Sequence, residues 1–328
     1  MKETLNSTPE VSVIVPVFNE EESLPRLFER LFPALDGLER PYEVIFVNDG
    51  SRDATLPLLL RARERRPGAM RVIDFNGNFG QHMAIMAGFS LARGNVMVTL
   101  DADLQNPPEE IPRMVRCVDE GHDVVGTVRK NRQDSLFRVT ASRLVNRLTN
   151  RLTGLSLHDY GCMLRAYRRD VIDIINESAE TTTFIPALAQ KFAINPVEIE
   201  VAHSEREQGQ SKYSLFRLVR LNFDLMTGFS LAPLQAVTMA GIFISALSFL
   251  FAAFMFIRRL LVGPEAEGVF TLLAILFLLM GVTISCIGIE GEYVGRIYQE
   301  VRKRPRYVVR KIYDTNGDLS NKWETKNI

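Results

Sequence analysis

The sequence predicts an α/β domain on a mostly parallel sheet, followed by a two-helix transmembrane hairpin. Three observations carry this reading. From residue 11 onward, β-branched strand-like runs alternate with helical patterns, as expected for strands joined by crossover helices. Polar and acidic residues stand directly after three of those runs. Residues 231–257 and 268–289 carry no charged side chain, and each stretch is long enough to cross a ~30 Å hydrocarbon core as a helix.

Strands are expected over Val11 to Phe18, Tyr42 to Asn48, Arg71 to Phe75, Asn95 to Leu100 and Asp123 to Val128. Helices are expected near Ser23 to Leu38, Asp53 to Arg65, Gln81 to Arg93 and Pro108 to Glu120. Ser23 before Leu24-Pro25 reads as an N-cap followed by proline in the first turn. Further helices are expected at Ser142 to Leu152, Arg169 to Ser178 and Phe184 to Phe192. No internal repeat or low-complexity segment interrupts the pattern.

The 328 residues allow about two domains, and 46% hydrophobic with 24% charged residues exclude disorder and collagen-like structure. Cys117, Cys162 and Cys286 are odd in number and far apart, which favours a reducing compartment over a disulfide framework or a paired-cysteine zinc site. The zero net charge hides a split: residues 1–210 hold 25 basic and 30 acidic side chains, and residues 211–328 hold 14 and 9.

The basic half is also the apolar half. Buried core helices are the alternative reading of the two uncharged runs, but runs of this length are rare in soluble domains. Arg258, Arg259, Pro264, Glu265 and Glu267 make the polar turn between them. The N-terminus lacks an apolar signal region, which leaves the first domain in the cytosol, and an even number of spans returns the C-terminus there. Arg296, Arg302, Lys303, Arg304, Arg306, Arg310 and Lys311 satisfy the positive-inside bias at that end, while Arg258 and Arg259 oppose it weakly. Phe216, Val219, Phe223 and Met226 form one stripe and Arg217, Arg220 and Asp224 another, which fits a helix in the membrane interface or one packed on the first domain. The expected plan is therefore a cytosolic domain over 1–210, a closing loop and amphipathic helix over 211–230, two spans over 231–290 and a basic cytosolic tail over 291–328.

In open α/β sheets ligands bind beyond the carboxyl ends of the strands. Those ends read Pro16-Val17-Phe18-Asn19-Glu20, Asn48-Asp49-Gly50-Ser51 and Asp101-Ala102-Asp103-Leu104-Gln105-Asn106. Alternate residues on an extended chain end project to one side, so Asp101 and Asp103 can present two hard oxygen ligands to Mg²⁺ or Mn²⁺. An isolated Asp-x-Asp is more often solvated or capping. Its place after a strand, in company with Asp49, favours a metal that bridges a nucleotide diphosphate. The Gly77 to Gly80 stretch fits neither the dinucleotide nor the Walker spacing and reads as a tight turn, with Gln81 or His82 available to line a pocket. His122, His158 and His203 show no metal spacing and read as structural.

Several longer segments carry a resemblance: Gly80-Gln81-His82-Met83-Ala84-Ile85-Met86-Ala87-Gly88, Leu100-Asp101-Ala102-Asp103-Leu104-Gln105-Asn106-Pro107-Pro108-Glu109-Glu110, Asn131-Arg132-Gln133-Asp134-Ser135, and Asp159 to Arg169. Through them the chain, from Val11 to about Val308, resembles the family-2 glycosyltransferases of GT-A type that act on polyprenyl phosphates. It looks most like those that move 4-deoxy-4-formamido-L-arabinose, and is related to dolichol-phosphate mannose synthases and undecaprenyl-phosphate glucosyltransferases.

The resemblance implies a Rossmann-like GT-A domain, a UDP-sugar donor, an undecaprenyl phosphate acceptor, a divalent cation and an inner-membrane location. It implies that Pro16, Phe18, Glu20 and Asp49 hold the nucleoside, and that Asp101, Asp103 and Gln105 organise the metal and diphosphate. Arg129, Arg138 and Ser142 match positions that grip the acceptor phosphate. Arg206, Gly209, Ser211, Lys212 and Tyr213 match a loop that closes over the donor. Asp159 falls where the family has an acid near the acceptor, either a base or an orienting partner for Arg129 or Arg138.

Charge placement points the same way for the acceptor. Arg129, Lys130, Arg132, Arg138, Arg143, Arg147 and Arg151 have only Asp134 as a nearby acid, and Arg143, Arg147 and Arg151 recur on one helical face. A solvated basic face is the alternative for any one of them. Nucleic acid is a poor partner, because the first domain is net acidic and lacks aromatic interleaving. A processive polysaccharide synthase usually carries Gln-x-x-Arg-Trp, whereas the single tryptophan here is Trp323 in the polar tail. A non-catalytic scaffold or flippase subunit is the remaining rival, and a homo-oligomer through the tail stays open.

Overall fold

A computed structural model describes residues 8–129, 162–178, 184–201, 232–262, 268–301 and 305–314, and the chain forms two compact units. Unit one takes residues 1–146, 155–212 and 304–328, and unit two takes 147–154 and 213–303.

Unit one is built on an eight-stranded sheet: β1 (Val11–Val17), β2 (Tyr42–Asn48), β3 (Met70–Phe75), β4 (Val96–Thr99), β5 (Val124–Arg129), β6 (Arg165–Arg168), β7 (Pro196–Val201) and β8 (Val309–Tyr313). Its order is β7-β5-β6-β4-β1-β2-β3-β8. The pairs β1–β2, β1–β4, β2–β3 and β5–β7 are parallel, while β4–β6, β5–β6 and β3–β8 are antiparallel. The mostly parallel α/β sheet expected from the sequence is present, with the five expected strands in place.

Helices α1 (Leu24–Asp36), α2 (Thr55–Arg65), α3 (Gln81–Leu91), α4 (Ile111–Asp119), α5 (Arg169–Glu177) and α6 (Ile185–Phe192) complete the unit, with a short 3₁₀ turn over Pro108–Glu110. The central strands are buried on both faces, which explains their near-continuous Val and Ile content. Val13, Val15, Phe46 and Val98 join Leu27 and Leu31 of α1 and Met114 of α4 in one core layer. Leu24, Leu27, Leu31 and Leu35 are fully buried along one stripe of α1, each worth about 1.5–3 kcal/mol over exposure. On α3 a Cβ at Gly88 would stand 2.4 Å from Ile14 Cγ2, so glycine there lets the helix lie close on β1.

Three strands were not expected. β6 inserts between β4 and β5, and β7 forms the edge beside β5. Within 291–328, expected as a basic tail, residues 309–313 form β8 on the free edge of β3. Backbone hydrogen-bonding potential along that edge outweighs the charge of Arg310 and Lys311, whose side chains leave the sheet plane. Ser23 does occupy the N-cap position of α1, but its hydroxyl makes no cap bond and donates to Glu20 instead, at 2.5 Å to Oε2 and 3.2 Å to the carbonyl.

Unit two contains two long helices that pack together, α7 (Ala232–Val262) and α8 (Val269–Val301). They extend past the expected spans. Among the described residues, the window Leu278–Gly295 is long and apolar enough to cross a membrane, and the apolar stretch Val237–Phe251 on α7 is shorter. The expected helix at 142–152 and the juxtamembrane helix within 211–230 lie outside the described residues.

Candidate active site at the strand ends

Since β4, β1, β2 and β3 are neighbours, the polar tails of β1, β2 and β4 fall side by side at the carboxyl edge of the sheet. The β4 ladder stops at Ile14, so Pro16 sits where β1 has lost that neighbour and its missing N–H costs no bond to β4. The tails of β1 and β2 are stitched together. Asn19 (φ 54°) donates its N–H to Ser51 Oγ at 3.0 Å and accepts Arg52 N–H on Oδ1 at 2.9 Å. Glu20 N–H donates to Thr55 Oγ1 at 2.9 Å, and Ala54 N–H to Glu21 Oε2 at 2.8 Å. Phe18 is 44% exposed beside this seam, an apolar ring in a polar rim.

Asp49 has a structural task that the sequence did not reveal. Its Oδ1 accepts Phe79 N–H at 2.7 Å and its Oδ2 accepts Gly80 N–H at 2.8 Å, so the carboxylate folds the 77–80 turn onto the end of β2. Burial pushes its pKa up, and the two backbone donors offset part of that rise. The turn is close: a Cβ at Gly50, whose φ is +72°, would stand 2.5 Å from the Gly77 carbonyl carbon. Gly80, at φ +94°, then opens α3.

The first residue of α3 reaches the third tail. Gln81 Nε2 donates to Asp101 Oδ1 at 2.5 Å. Two residues on, Asp103 Oδ1 accepts the Gln105 N–H at 3.1 Å, closing a local turn around Leu104 at φ 60°. The loop is fastened at both ends of its later half. Asn106 is buried and accepts the Cys162 thiol at 3.4 Å, whose sulfur also lies 2.8 Å from Thr127 Oγ1 on β5. Glu109 receives a bidentate pair of bonds from Arg30 of α1, 2.9 Å each, and that guanidinium holds its pKa below the usual carboxylate range.

Among the described residues no three His, Cys, Asp or Glu side chains gather as a metal site. Asp101 and Asp103 nevertheless supply hard oxygen donors on one strand end, a set that suits Mg²⁺ or Mn²⁺ when diphosphate and water complete the coordination. Gln105 contributes its backbone to that loop. Of the residues expected at the acceptor, Arg129 closes β5 opposite Val201. Arg138, Ser142, Asp159, Arg206, Gly209, Ser211, Lys212 and Tyr213 lie outside the described residues. Asn48 of the second tail donates to Asp74 at 2.7 Å, a buried acid that no sequence pattern singled out.

A mostly parallel α/β sheet with acids and an exposed aromatic ring beyond the carboxyl ends of its strands places them where open α/β folds bind ligands. The description "Glycosyl transferase family 2" matches residues 12–175. The chain belongs to that family and is a glycosyltransferase. Its relatives include the undecaprenyl-phosphate 4-deoxy-4-formamido-L-arabinose transferases of Photorhabdus laumondii, at 49% identity over 96% of this chain and 97% of that one, and of Proteus mirabilis, at 50% over 98% and 99%. That of Serratia proteamaculans is 51% identical over 92% of this chain and 93% of its own. Among solved structures, the glucosyl-3-phosphoglycerate synthase of Mycobacterium tuberculosis is similar over 69% of this chain and 79% of its own, with 18% identity and a TM-score of 0.47.

Proposed function

We propose that this enzyme transfers a sugar, 4-deoxy-4-formamido-L-arabinose from its UDP derivative, to undecaprenyl phosphate, giving a lipid-linked monosaccharide for envelope or lipid A modification. The observation that carries the reading is the near-half identity, over almost the full length of both chains, to transferases named for that sugar and that lipid. Glucose or mannose as the transferred sugar is the second reading, because the acids at the strand ends address the diphosphate and do not select the sugar.

In this reading Phe18, Pro16 and Glu20 hold the nucleoside on the β1–β2 seam, and Asp49 shapes the turn that walls it. Asp101 and Asp103, with Gln105 beside them, would hold a divalent cation, which would supply positive charge for the diphosphate. Arg206, Ser211 and Lys212 close over the donor. Arg129, Arg138 and Ser142 grip the lipid phosphate. That phosphate, with a second pKa near 6, is already largely ionised at pH 7 and needs little help from a base. Its oxygen attacks the sugar C1 opposite the leaving group. The new C–O bond forms as the bond to UDP breaks, and the anomeric centre inverts. Positioning and charge neutralisation carry the rate, and Asp159 orients an arginine.

Exposed apolar helices support a lipid acceptor. Large apolar side chains such as Phe243, Leu250, Leu278 and Ile284 stand exposed along α7 and α8, and the window Leu278–Gly295 of α8 is long and apolar enough to span. β8 belongs to the same sheet as β1 to β7, so any crossings between them come in an even number. Two spans, with the catalytic domain in the cytosol, satisfy that condition.

The test is incubation of the purified protein with undecaprenyl phosphate and several UDP-sugars, with and without chelator, followed by mass measurement of the lipid. Transfer of the formamido-arabinose, lost in chelator and abolished by Asp101→Ala or Asp103→Ala, is expected. Asp159→Asn should reduce the rate only modestly, and a collapse as deep as that of the other two would establish base catalysis instead.

A further inference from the structure

We propose that Tyr307 and Arg310, in the segment after the second long helix, are positioning residues for the donor site. The inference rests on the reading that the strand ends hold a nucleotide sugar. Lys311 opposes Asp74 and Val309 opposes Phe75, which leaves Arg310 as the extra residue of a bulge in β8. Bulges re-aim side chains. Here Arg310 Nη1 lies 3.3 Å from Asp74 Oδ2, and its Nη2 donates to the Asn76 carbonyl at 3.4 Å. Asp74 is buried, and its other oxygen accepts Asn48 Nδ2 at 2.7 Å. Asn48 Oδ1 in turn accepts the N–H of Ser51 at 3.3 Å, so the guanidinium is linked through two side chains to the β2 tail that carries Asp49.

A second route runs through the 77–80 turn. Asn76 donates its N–H to the Val308 carbonyl at 3.0 Å, so the returning segment grips that residue at both its N–H and its C=O. Tyr307 stacks on Phe75 at 5.1 Å and 13°, and Phe75 meets Phe79 edge-on at 5.6 Å. Phe79 is the residue whose N–H binds Asp49, and Gln81, two positions on, binds Asp101. The first route therefore ends on the β2 tail beside Asp49, and the second on Asp49 and Asp101.

The test pairs hydrogen exchange at the Phe79 and Gly80 amides with steady-state kinetics, on the full-length protein. Arg310→Met and Tyr307→Leu should each speed that exchange and raise the donor KM about tenfold, with the acceptor KM unchanged. Arg310→Lys should restore part of both, since lysine keeps a charge beside Asp74 but has one nitrogen where the guanidinium fork uses two to reach Asp74 and Asn76 together. Lys311→Met, on the same strand, should leave both at wild-type values. Unchanged exchange, or faster exchange with an unchanged donor KM, overturns the inference, as does an equal loss in the acceptor KM. Exchange needs no donor, so the inference can fail on its own. A wild-type protein that transfers no sugar overturns the functional reading and, with it, this role for the strand.

Discussion

Gln81 and Asp101 meet at 2.5 Å, amide to carboxylate, across 20 residues of chain. The bond joins the start of α3 to the end of β4. Gly80, one residue earlier, is held by Asp49. A single short turn thus fixes the spacing of two acids that come from strands separated by β1 in the sheet.

Replacing Gln81 by Glu puts a second carboxylate against Asp101, and like charges at that range raise the pKa of the pair. The acid limb of kcat/KM against pH should move to higher pH in Gln81→Glu. Gln81→Ala should lower kcat/KM without moving the limb. Superimposable profiles for wild type and Gln81→Glu would show that the amide does not govern Asp101.

Gly50→Ala should destabilise the protein by about 1–3 kcal/mol. The substitution combines a left-handed φ of +72° with a Cβ 2.5 Å from the Gly77 carbonyl carbon, and backbone on both sides leaves nothing to yield cheaply. The midpoint of urea unfolding is the measurement. A change under a few tenths of a kcal/mol would mean that the two turns separate freely.

His82 gives the protein an acid-side weakness. Burial lowers its pKa to about 4, its ring lies edge-on to Phe184 at 5.3 Å, and its Nδ1 has no hydrogen-bond partner among the described residues. The unfolded chain takes up the proton near pH 6.5 and the folded chain does not until about pH 4, so stability falls as the pH drops through that window. Unfolding free energies at a series of pH values should show that slope in wild type and a flatter one in His82→Phe. Equal slopes would assign the acid sensitivity to other groups.

The amino-terminal edge of the sheet carries a buried knot. Glu43 accepts Ser12 Oγ at 2.7 Å and Arg71 Nη1 at 3.0 Å. Asp314 lies 3.2 Å from Arg71 Nε, out of hydrogen-bond alignment, and accepts Arg93 Nη2 at 2.8 Å, while its carbonyl accepts Arg63. Asp314→Ala should cost about 1.5–3 kcal/mol, less than breaking an isolated buried pair because Arg71 keeps Glu43. Denaturant unfolding measures it, and a neutral result would mean that the last strand contributes no stability through this end.

Much of this architecture was legible in the chain. β1 to β5 announced themselves because strands buried on both faces must be runs of Val and Ile, and the helices between them because α1 and α4 keep one apolar stripe. β6 hid because its sequence is Arg165-Ala-Tyr-Arg168, and burial of Arg165 is visible only once the Cys162 carbonyl accepts its Nε at 3.0 Å. β7 and β8 sit at edges, where one side meets solvent and charged residues are tolerated, so Glu198, Glu200, Arg310 and Lys311 masked the alternation beneath. In the site, residue types and strand positions picked out Asp49, Asp101 and Asp103. They did not disclose that Asp49 is turned toward backbone amides, because that bond depends on how closely Gly50 and Gly77 approach.

The place of β8 after both long helices sets an order of biosynthesis. The ribosome delivers β1 to β7 first, then both long helices, and only afterwards the strand that covers β3 and brings Asp314 to Arg71 and Arg93. Until translation has passed the helices, the nascent domain presents a bare sheet margin and incompletely neutralised cations, so maturation of the globular part waits on the hydrophobic part. A chain stalled before residue 305 would be left with an adhesive margin, the kind of defect that cellular quality control recognises.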